Sequence, residues 1–320
     1  MKIKKARRYY FDTLILLICA LYLVPWAHID KNFYSTTSSE DSLNTGNVEQ
    51  PVYDLSESVG ESEALYSTLR DFGYQLDDIK NGFQTVPHVF LPKIPKDIKN
   101  FSPVHKRKQL FIMVTLPLIL QTNQSILEDR QRLIALGRRI KRGTKISYSD
   151  DLWLQEIGEK YSAESKDVES LLERVDIVPV SLALAQAIEE SGWGTSRFTH
   201  EGNALFGQRI YGSKSGMIPI RADSKTYKVK SYYELQGSVD SYIHNLNSHY
   251  AYEKFRSTRK DLRKESSKLD PILLAGKLDN YSEKGEFYTR KLIRIIRAND
   301  LTLLDPAKLA PDYFVDLALR

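Results

Sequence analysis

Two adjacent carboxylates, Glu189 and Glu190, end an apolar stretch with helical spacing, VPVSLALAQAIEESGWG. Pro179 suits the first turn of such a helix, and Gly192 suits the residue just beyond its last turn. A glutamate at this end faces the negative pole of the helix dipole, which favours its protonated form. Glu190 is therefore a candidate general acid, a group that donates a proton near neutral pH. Taken alone, the pattern is explained more simply by a solvent-facing acidic pair.

The face of this helix that leads to Glu190 carries small side chains. Ala183 and Ala187 precede Glu190 at the spacing of one helical face. They leave room either for another backbone or for a ligand that reaches the carboxyl group. Glu189 is turned about 100° around the helix axis, so the two carboxylates cannot share one orientation.

The segments around this helix are predicted to be mainly helical. Apolar residues recur at helical spacing over residues 107–140, which predicts two helices or one helix kinked at Pro117. Further helices are predicted at residues 150–161 and 163–174. Residues 86–103 contain several prolines and are predicted to wrap the body as an extended strap.

The net charge of +5 over 320 residues hides an uneven distribution. Residues 1–30 carry +3 and contain five cations followed by an apolar run, LILLICALYLVPW, which predicts an uncleaved signal anchor or, alternatively, a signal peptide. The positive flank places the rest of the chain outside the cytoplasm. Residues 31–84, rich in Ser, Thr, Glu and Asp, are predicted to be an acidic flexible linker. Residues 81–320 carry +9, which is compatible with an anionic polymer as partner.

Composition excludes several classes of protein. The single cysteine, Cys19, rules out a disulfide framework and a cysteine-rich metal site. His200, His244 and His249 lack the spacing of metal ligands, so no metal or other cofactor is expected. The chain also lacks a phosphate-binding glycine loop and a basic-aromatic pattern typical of nucleic-acid binding, so no nucleic acid is expected as partner.

Two short motifs resemble the catalytic motif of a known family. AQAIEESGWG at 185–194 and NALFG at 203–207 resemble A-Q-x-x-x-E-S-G-W-G and N-x-L-F-G of the peptidoglycan N-acetylglucosaminidases, which include flagellar muramidases and Gram-positive autolysins. The similarity covers about residues 84–305. It implies a mainly α (α+β) fold, a lysozyme-like helical body with a small β-hairpin lobe, which acts on the glycan strands of bacterial peptidoglycan.

The resemblance also implies roles for individual residues. Glu190 corresponds to the general acid of the family. Trp193 and Phe206 would line or support the sugar cleft, although plain core packing explains them equally well. Asn203 would fix the loop that follows it rather than take part in the chemistry.

A second carboxylate is less clearly indicated. The family places an acid on the hairpin lobe, where this chain offers Asp223 and Glu234; Asp223 is nearer the expected position, and Glu201 is a third candidate. Alternatively, the 2-acetamido group of the substrate supplies the nucleophile, an accepted exception to the two-carboxylate rule. The hairpin exit departs from the aromatic-x-aromatic pattern of the family, which leaves Tyr232 and Tyr242 as the predicted sugar-binding aromatics.

Together these features predict a peptidoglycan hydrolase that cleaves the β-1,4 bond after N-acetylglucosamine. The alternatives are a lytic transglycosylase that yields 1,6-anhydro products and a non-catalytic wall-binding protein. The protein is expected to be a monomer at the periplasmic face of the inner membrane, or in the periplasm if the signal is cleaved. The predicted parts are a signal segment, a linker, a strap with N-terminal helices, a catalytic core and a C-terminal tail: 1–30, 31–84, 85–176, 177–305 and 306–320.

Overall fold

Helices make up most of the protein in a computed structural model that describes residues 60–212, 216–219, 227–266 and 268–311. The helices are α1 (Glu61–Asp71), α2 (Leu76–Lys80), α3 (Val104–Lys141), α4 (Tyr148–Tyr161), α5 (Val168–Arg174), α6 (Val180–Ser191), α7 (Arg197–Gly202), α8 (Leu235–Ser248), α9 (Glu253–Glu265), α10 (Pro271–Ala275) and α11 (Glu286–Ala298). The strands are β1 (Arg209–Ile210) and β2 (Lys228–Val229). Short 3-10 turns lie at Ile98–Asn100, Tyr250–Tyr252, Asp279–Tyr281 and Leu301–Leu304. The predicted mainly helical fold with one small β-hairpin is confirmed.

The long helix α3 lies in the core of the body. It runs through Pro117 as one element of 38 residues, so the alternative of two separate helices is wrong. Every residue from Leu110 to Leu120 is buried, as expected of a helix that is apolar all round. Within the described part of the chain, α3 alone is long and apolar enough to cross a membrane, but 78% of its most apolar stretch is buried in the protein. Its apolar character is thus used in the core.

The helix α6, which carries Glu190, is held by two other parts of the chain. Its residues from Val180 to Ile188 are all buried. Near its first turn, Asp305 accepts hydrogen bonds from the backbone N–H (2.8 Å) and the hydroxyl (2.9 Å) of Ser181. Just ahead of the helix, the side chain of Asn123 in α3 donates to the carbonyl of Val178 at 2.8 Å. The start of α6 is therefore fixed by both α3 and the end of the body.

The linker predicted up to residue 84 ends earlier in the structure. Residues 61–71 and 76–80 form α1 and α2, and both helices pack against the core, through apolar residues such as Leu65 of α1 and Ile79 of α2. Asp97 accepts hydrogen bonds from the backbone N–H (3.0 Å) and the hydroxyl (2.6 Å) of Ser62, which ties α1 to the strap. The prediction failed because polar residues between the buried positions made the segment look disordered. The predicted signal anchor at residues 1–30 lies outside the described residues.

The strap joins the two ends of the body. The backbone of Val86 bonds to Lys308 and to Ala310, each at 2.8 Å, in a parallel bridge. Residues 306–311, the first part of the predicted C-terminal tail, are therefore paired with the strap. All described residues belong to one compact unit.

The hairpin lobe is small. Strands β1 and β2 pair antiparallel, with Arg209 opposite Val229 and Ile210 opposite Lys228. An isolated bridge between Met217 and Val229 extends the pairing. The lobe follows the NALFG motif directly, so it lies beside the end of α6.

Candidate active site

The C-terminal end of α6 is shaped by the residues that follow Glu190. Gly192 ends the helix in the left-handed conformation, with φ 59°, as the sequence predicts. The hydroxyl of Ser191 donates to the carbonyl of Ala187 at 2.6 Å and accepts from the backbone N–H of Gly194 at 2.9 Å. This small, fully paired turn keeps Glu190 in the last turn of the helix and leaves its side chain room to project.

Trp193 packs beneath this turn. Its ring meets Phe111 of α3 edge-on, with centroids 5.9 Å apart, and the ammonium of Lys108 lies 4.9 Å from the ring centroid. A side chain at Gly194 would begin 3.0 Å from the ring of Phe111, so the glycine allows α3 to approach closely. Trp193 is half-buried and serves as a support of the turn.

Glu190 is largely buried, and this burial dominates its ionisation. Burial raises its pKa from 4.5 to about 7; the hydrogen bond from Tyr288 lowers the pKa, the charge of Glu189 raises it, and Lys291 and Arg209 lower it. The neutral carboxyl group is therefore much more populated near neutral pH than in an exposed glutamate. The upward shift of the pKa of Glu190 agrees with the prediction made from its position at the helix end, but the main cause of the shift is desolvation.

A chain of buried hydrogen bonds orients this carboxyl group. The hydroxyl of Tyr242 donates to the side-chain carbonyl of Gln186 at 2.6 Å. The amide of Gln186 donates to the hydroxyl oxygen of Tyr288 at 3.0 Å. Because that oxygen already accepts a hydrogen bond, the hydroxyl proton of Tyr288 is free to donate to Glu190. Three helices, α8, α6 and α11, thus set the position of one carboxyl group.

Further tyrosines enclose the site. The ring of Tyr281 stacks on that of Tyr288, with centroids 5.5 Å apart, and its hydroxyl donates to the carbonyl of Phe206 at 3.0 Å. Tyr252 lies against Tyr281, with centroids 6.0 Å apart. Burial raises the pKa of both Tyr252 and Tyr281, and the charge of Glu190 raises it further. These aromatic rings provide the low-polarity surroundings that make the neutral form of Glu190 favourable.

The NALFG motif brings its backbone directly to the carboxyl group. Gly207 has a positive φ of 57°, and a side chain there would begin 3.3 Å from Oε2 of Glu190. Phe206 and Tyr242 stack with centroids 3.8 Å apart and are 1% and 0% exposed. Both rings are buried and support the site from below. This corrects the prediction of Tyr242 as a sugar-binding aromatic, and for Phe206 it fits support of the cleft or core packing rather than direct contact with sugar.

Two ion pairs flank Glu190. Lys291 of α11 pairs with Glu189 at 2.6 Å, and Arg209 of β1 pairs with Glu283 at 2.5 Å. Both cations lower the pKa of Glu190, so both lie close enough for their charge to act on it. A carboxylate formed at Glu190 would therefore be stabilised by both cations.

The sequence of the chain is similar to those of known proteins. Residues 165–301 match the model of the family described as mannosyl-glycoprotein endo-beta-N-acetylglucosaminidase. The chain is also 32% identical to Protein bax of Escherichia coli (strain K12) over 212 residues, which are 63% of this chain and 73% of that protein. The chain belongs to the glucosaminidase family. Membership indicates a glycoside hydrolase, an enzyme that hydrolyses glycosidic bonds of a glycan.

Within the glucosaminidase motif, the side chain of Asn203 fixes the backbone of the hairpin exit rather than the loop that follows it, and its role in substrate binding stays a prediction. Asn203 adopts a left-handed conformation with φ 51°, and its side-chain amide donates to the carbonyls of Tyr232 (3.1 Å) and Tyr233 (2.9 Å). The hydroxyl of Tyr232 donates to the side chain of Gln208. Tyr232 is half-buried at the hairpin exit, where its role as a sugar-binding aromatic stays a prediction.

The candidates for a second glucosaminidase carboxylate differ in position. Asp223 lies outside the described residues. Glu201 is exposed and pairs with Arg197 at 2.6 Å, and Glu234 is exposed just ahead of α8. Neither Glu201 nor Glu234 is among the groups with the largest influence on the pKa of Glu190.

Several residues of the site were not predicted from the sequence. Tyr288, Lys291 and Arg209 act directly on Glu190, and Gln186 was noted only as part of the motif. A usable signal exists for Tyr288 alone, because it shares the buried face of α11 with Leu292 and Ile296 at a spacing of four residues. A hydroxyl on an otherwise apolar face requires a partner inside the protein.

Proposed function

We propose that the protein is a peptidoglycan hydrolase that cleaves the β-1,4 bond after N-acetylglucosamine, with Glu190 as the general acid. The observation that carries the proposal is a largely buried carboxyl group with a pKa of about 7 at the end of the glucosaminidase helix. A general acid works best when its pKa lies near the working pH. Glu190 meets this condition, and its buried partners hold it in one orientation.

The surroundings of Glu190 suit proton donation to a glycosidic oxygen. When the proton leaves, a carboxylate remains in a largely buried site that keeps some solvent access. The hydrogen bond from Tyr288 and the charges of Lys291 and Arg209 all favour that carboxylate. Their interaction therefore grows as the bond to the leaving oxygen breaks, which is the requirement for stabilising a transition state.

The second chemical group is proposed to be Asp223, acting on the opposite side of the sugar. The alternative is the 2-acetamido group of the substrate, which would act as an internal nucleophile. A separation of about 5–5.5 Å between the two carboxyl groups would indicate retention, and about 6.5–9.5 Å inversion.

The proposed location is the periplasmic face of the inner membrane. The apolar segment at residues 14–26 follows five cations and would act as an anchor. The charge of +9 on residues 81–320 suits a cell wall that carries anionic groups. The protein would act there as a monomer.

Digestion of purified peptidoglycan tests this function. The full-length protein in detergent is incubated with peptidoglycan, and the products are reduced with borohydride and identified by mass spectrometry. We expect new N-acetylglucosamine reducing ends and a loss of about 10²–10⁴-fold in rate for Glu190→Gln. Glu169→Gln is the matched control, because Glu169 is an exposed glutamate that pairs with Lys260 away from the site, and it should retain most of the activity.

Each alternative has its own signature in the same experiment. 1,6-Anhydro ends would indicate a transglycosylase. Binding of peptidoglycan without any new ends would indicate a wall-binding protein. Equal activity of Glu190→Gln and the wild type would remove Glu190 from the mechanism.

A further inference from the structure

The two ion pairs beside Glu190 differ in how firmly the acidic partner is held. In the Lys291–Glu189 pair, the side chain of Glu189 is 16% exposed and belongs to the rigid helix α6. In the Arg209–Glu283 pair, the side chain of Glu283 is 80% exposed and belongs to the segment between Tyr281 and α11. Both carboxylates pair with a cation next to the site, but only the side chain of Glu283 is mainly exposed to solvent.

Arg209 itself is positioned from several directions. It lies in β1, two residues after Gly207, whose backbone approaches Glu190. Its guanidinium lies 4.3 Å from the ring centroid of Tyr227, and Tyr211 is hydrogen-bonded to its side chain. A guanidinium placed over a ring keeps its edge available for a carboxylate. The cation is thus positioned on the lobe by two tyrosines, while its acidic partner is the more exposed member of the pair.

The chemistry of such a pair favours exchange. An ion pair between exposed side chains contributes little to stability, because water solvates both groups well when they separate. A carboxylate on a ligand differs, because the other contacts of the ligand already place it beside the guanidinium. The entropy cost of immobilising the ligand is then not incurred again when this ion pair forms. Lys228 and Lys230 on or next to β2 add positive charge to the same lobe.

We propose that Arg209 forms an anion subsite that binds a carboxylate on the muramic acid side chain of the substrate and releases Glu283 to solvent. This inference rests on the proposed function and names the substrate class of the same site. The carboxylate belongs either to the lactyl group of a strand without peptides or to the stem peptide. A neutral glycan such as chitin lacks this group, so Arg209 distinguishes the two polymers.

Binding measurements with matched glycans test the subsite. The full-length protein carrying Glu190→Gln is titrated calorimetrically with a tetrasaccharide of alternating N-acetylglucosamine and N-acetylmuramic acid. Three further probes are the same tetrasaccharide with its lactyl groups converted to methylamides, the same tetrasaccharide with stem peptides, and chitotetraose. The free-acid tetrasaccharide and its methylamide differ only in the carboxylate.

The variants separate the charge from the fold. Arg209→Gln should weaken binding of a carboxylate-bearing probe about fivefold, the value of one well-placed exposed ion pair, and leave the methylamide and chitotetraose within about twofold. Arg209→Lys should restore part of the loss. Glu283→Gln should tighten binding of the acidic probe about twofold. Glu286→Gln is the matched control, because Glu286 pairs with Arg290 at 3.2 Å on the surface of α11.

Each outcome decides the inference. Dependence on Arg209 with the free acid assigns the lactyl group, and dependence with the peptide-bearing probe alone assigns the stem peptide. Equal weakening of all probes, no effect of Arg209→Gln, or no binding of any probe overturns the subsite. Cleavage of peptidoglycan by the wild type is scored separately, so loss of the subsite and loss of the proposed function are distinguishable.

Discussion

Replacement of Tyr288 by phenylalanine isolates the hydrogen bond that Glu190 accepts. The hydroxyl of Tyr288 lowers the pKa of Glu190 against the larger effect of burial. Without this hydroxyl, the carboxylate form of Glu190 loses the stabilisation of a hydrogen bond, and the neutral form loses much less stabilisation. The pKa of Glu190 in Tyr288→Phe should therefore rise above the wild-type value of about 7.

The size of this rise follows from the strength of such bonds. A hydrogen bond to a charged group contributes about 1.5–3 kcal/mol, and about 1.4 kcal/mol corresponds to one pKa unit. Taking the lower end for a site that keeps some solvent access, the pKa rises by about one unit. The amide of Gln186 also loses its acceptor. We therefore expect the maximal rate to fall, by about tenfold, while the limb of the pH profile at high pH moves upward.

The assay is the dependence of kcat/KM on pH with soluble peptidoglycan fragments. A general acid is active when protonated, so wild-type activity declines as the pH rises through about 7, and the decline in Tyr288→Phe should begin about one unit higher. Tyr252→Phe is the control, because Tyr252 bonds to Asn245 and is not among the hydrogen-bonding partners of Glu190. A limb that stays in place or moves downward in Tyr288→Phe would refute the reasoning.

Three further predictions concern the supports of the site. The stability of Glu190→Gln relative to the wild type should increase by up to about 3 kcal/mol as the pH rises from 4.5 through about 7. The reason is that the Glu190 carboxyl group binds its proton more tightly in the folded wild type than in the unfolded chain. Urea denaturation across this range measures the difference in stability between the two proteins, and a difference that does not change with pH would contradict the prediction. Gly207→Ala should cost about 1–2 kcal/mol and most of the activity, since φ is 57° and Oε2 of Glu190 lies 3.3 Å away; unchanged turnover would count against the close approach. Ser181→Ala should destabilise the protein by about 1 kcal/mol and raise the pKa of Asp305 above about 6, which NMR titration measures; a lowered pKa would contradict the assigned hydrogen bonds.

The sequence predicts the helix that carries Glu190 well because local signals define it. An apolar period, a proline before its first residue and Gly192 after its last residue all act within the segment itself. The first body helix, Glu61–Asp71, shows the opposite case. Its buried face was hidden by polar neighbours, and its docking depends on Asp97 of the strap, a contact that composition does not reveal.

The position of the candidate acid at the helix end could be predicted, but its environment could not. Glu190 is marked by its position at the helix end and by the family motif. The groups that set its pKa come from three separate elements: the last helix with Tyr288 and Lys291, the hairpin with Arg209, and Glu189 beside it. Such contacts are determined by tertiary packing, so no local sequence pattern predicts them. For the same reason, the sequence did not show that Tyr242, predicted to bind sugar, is buried and donates a hydrogen bond to Gln186.

The proposed role of Glu190 depends most on its ionisation in the folded protein. Carbon NMR of the labelled side-chain carboxyl group, assigned by its loss in Glu190→Gln, measures this directly. The structure predicts a midpoint of about 7, which should coincide with the decline of kcat/KM at high pH. A midpoint near 4.5, the usual value, would contradict the role of Glu190 as the general acid.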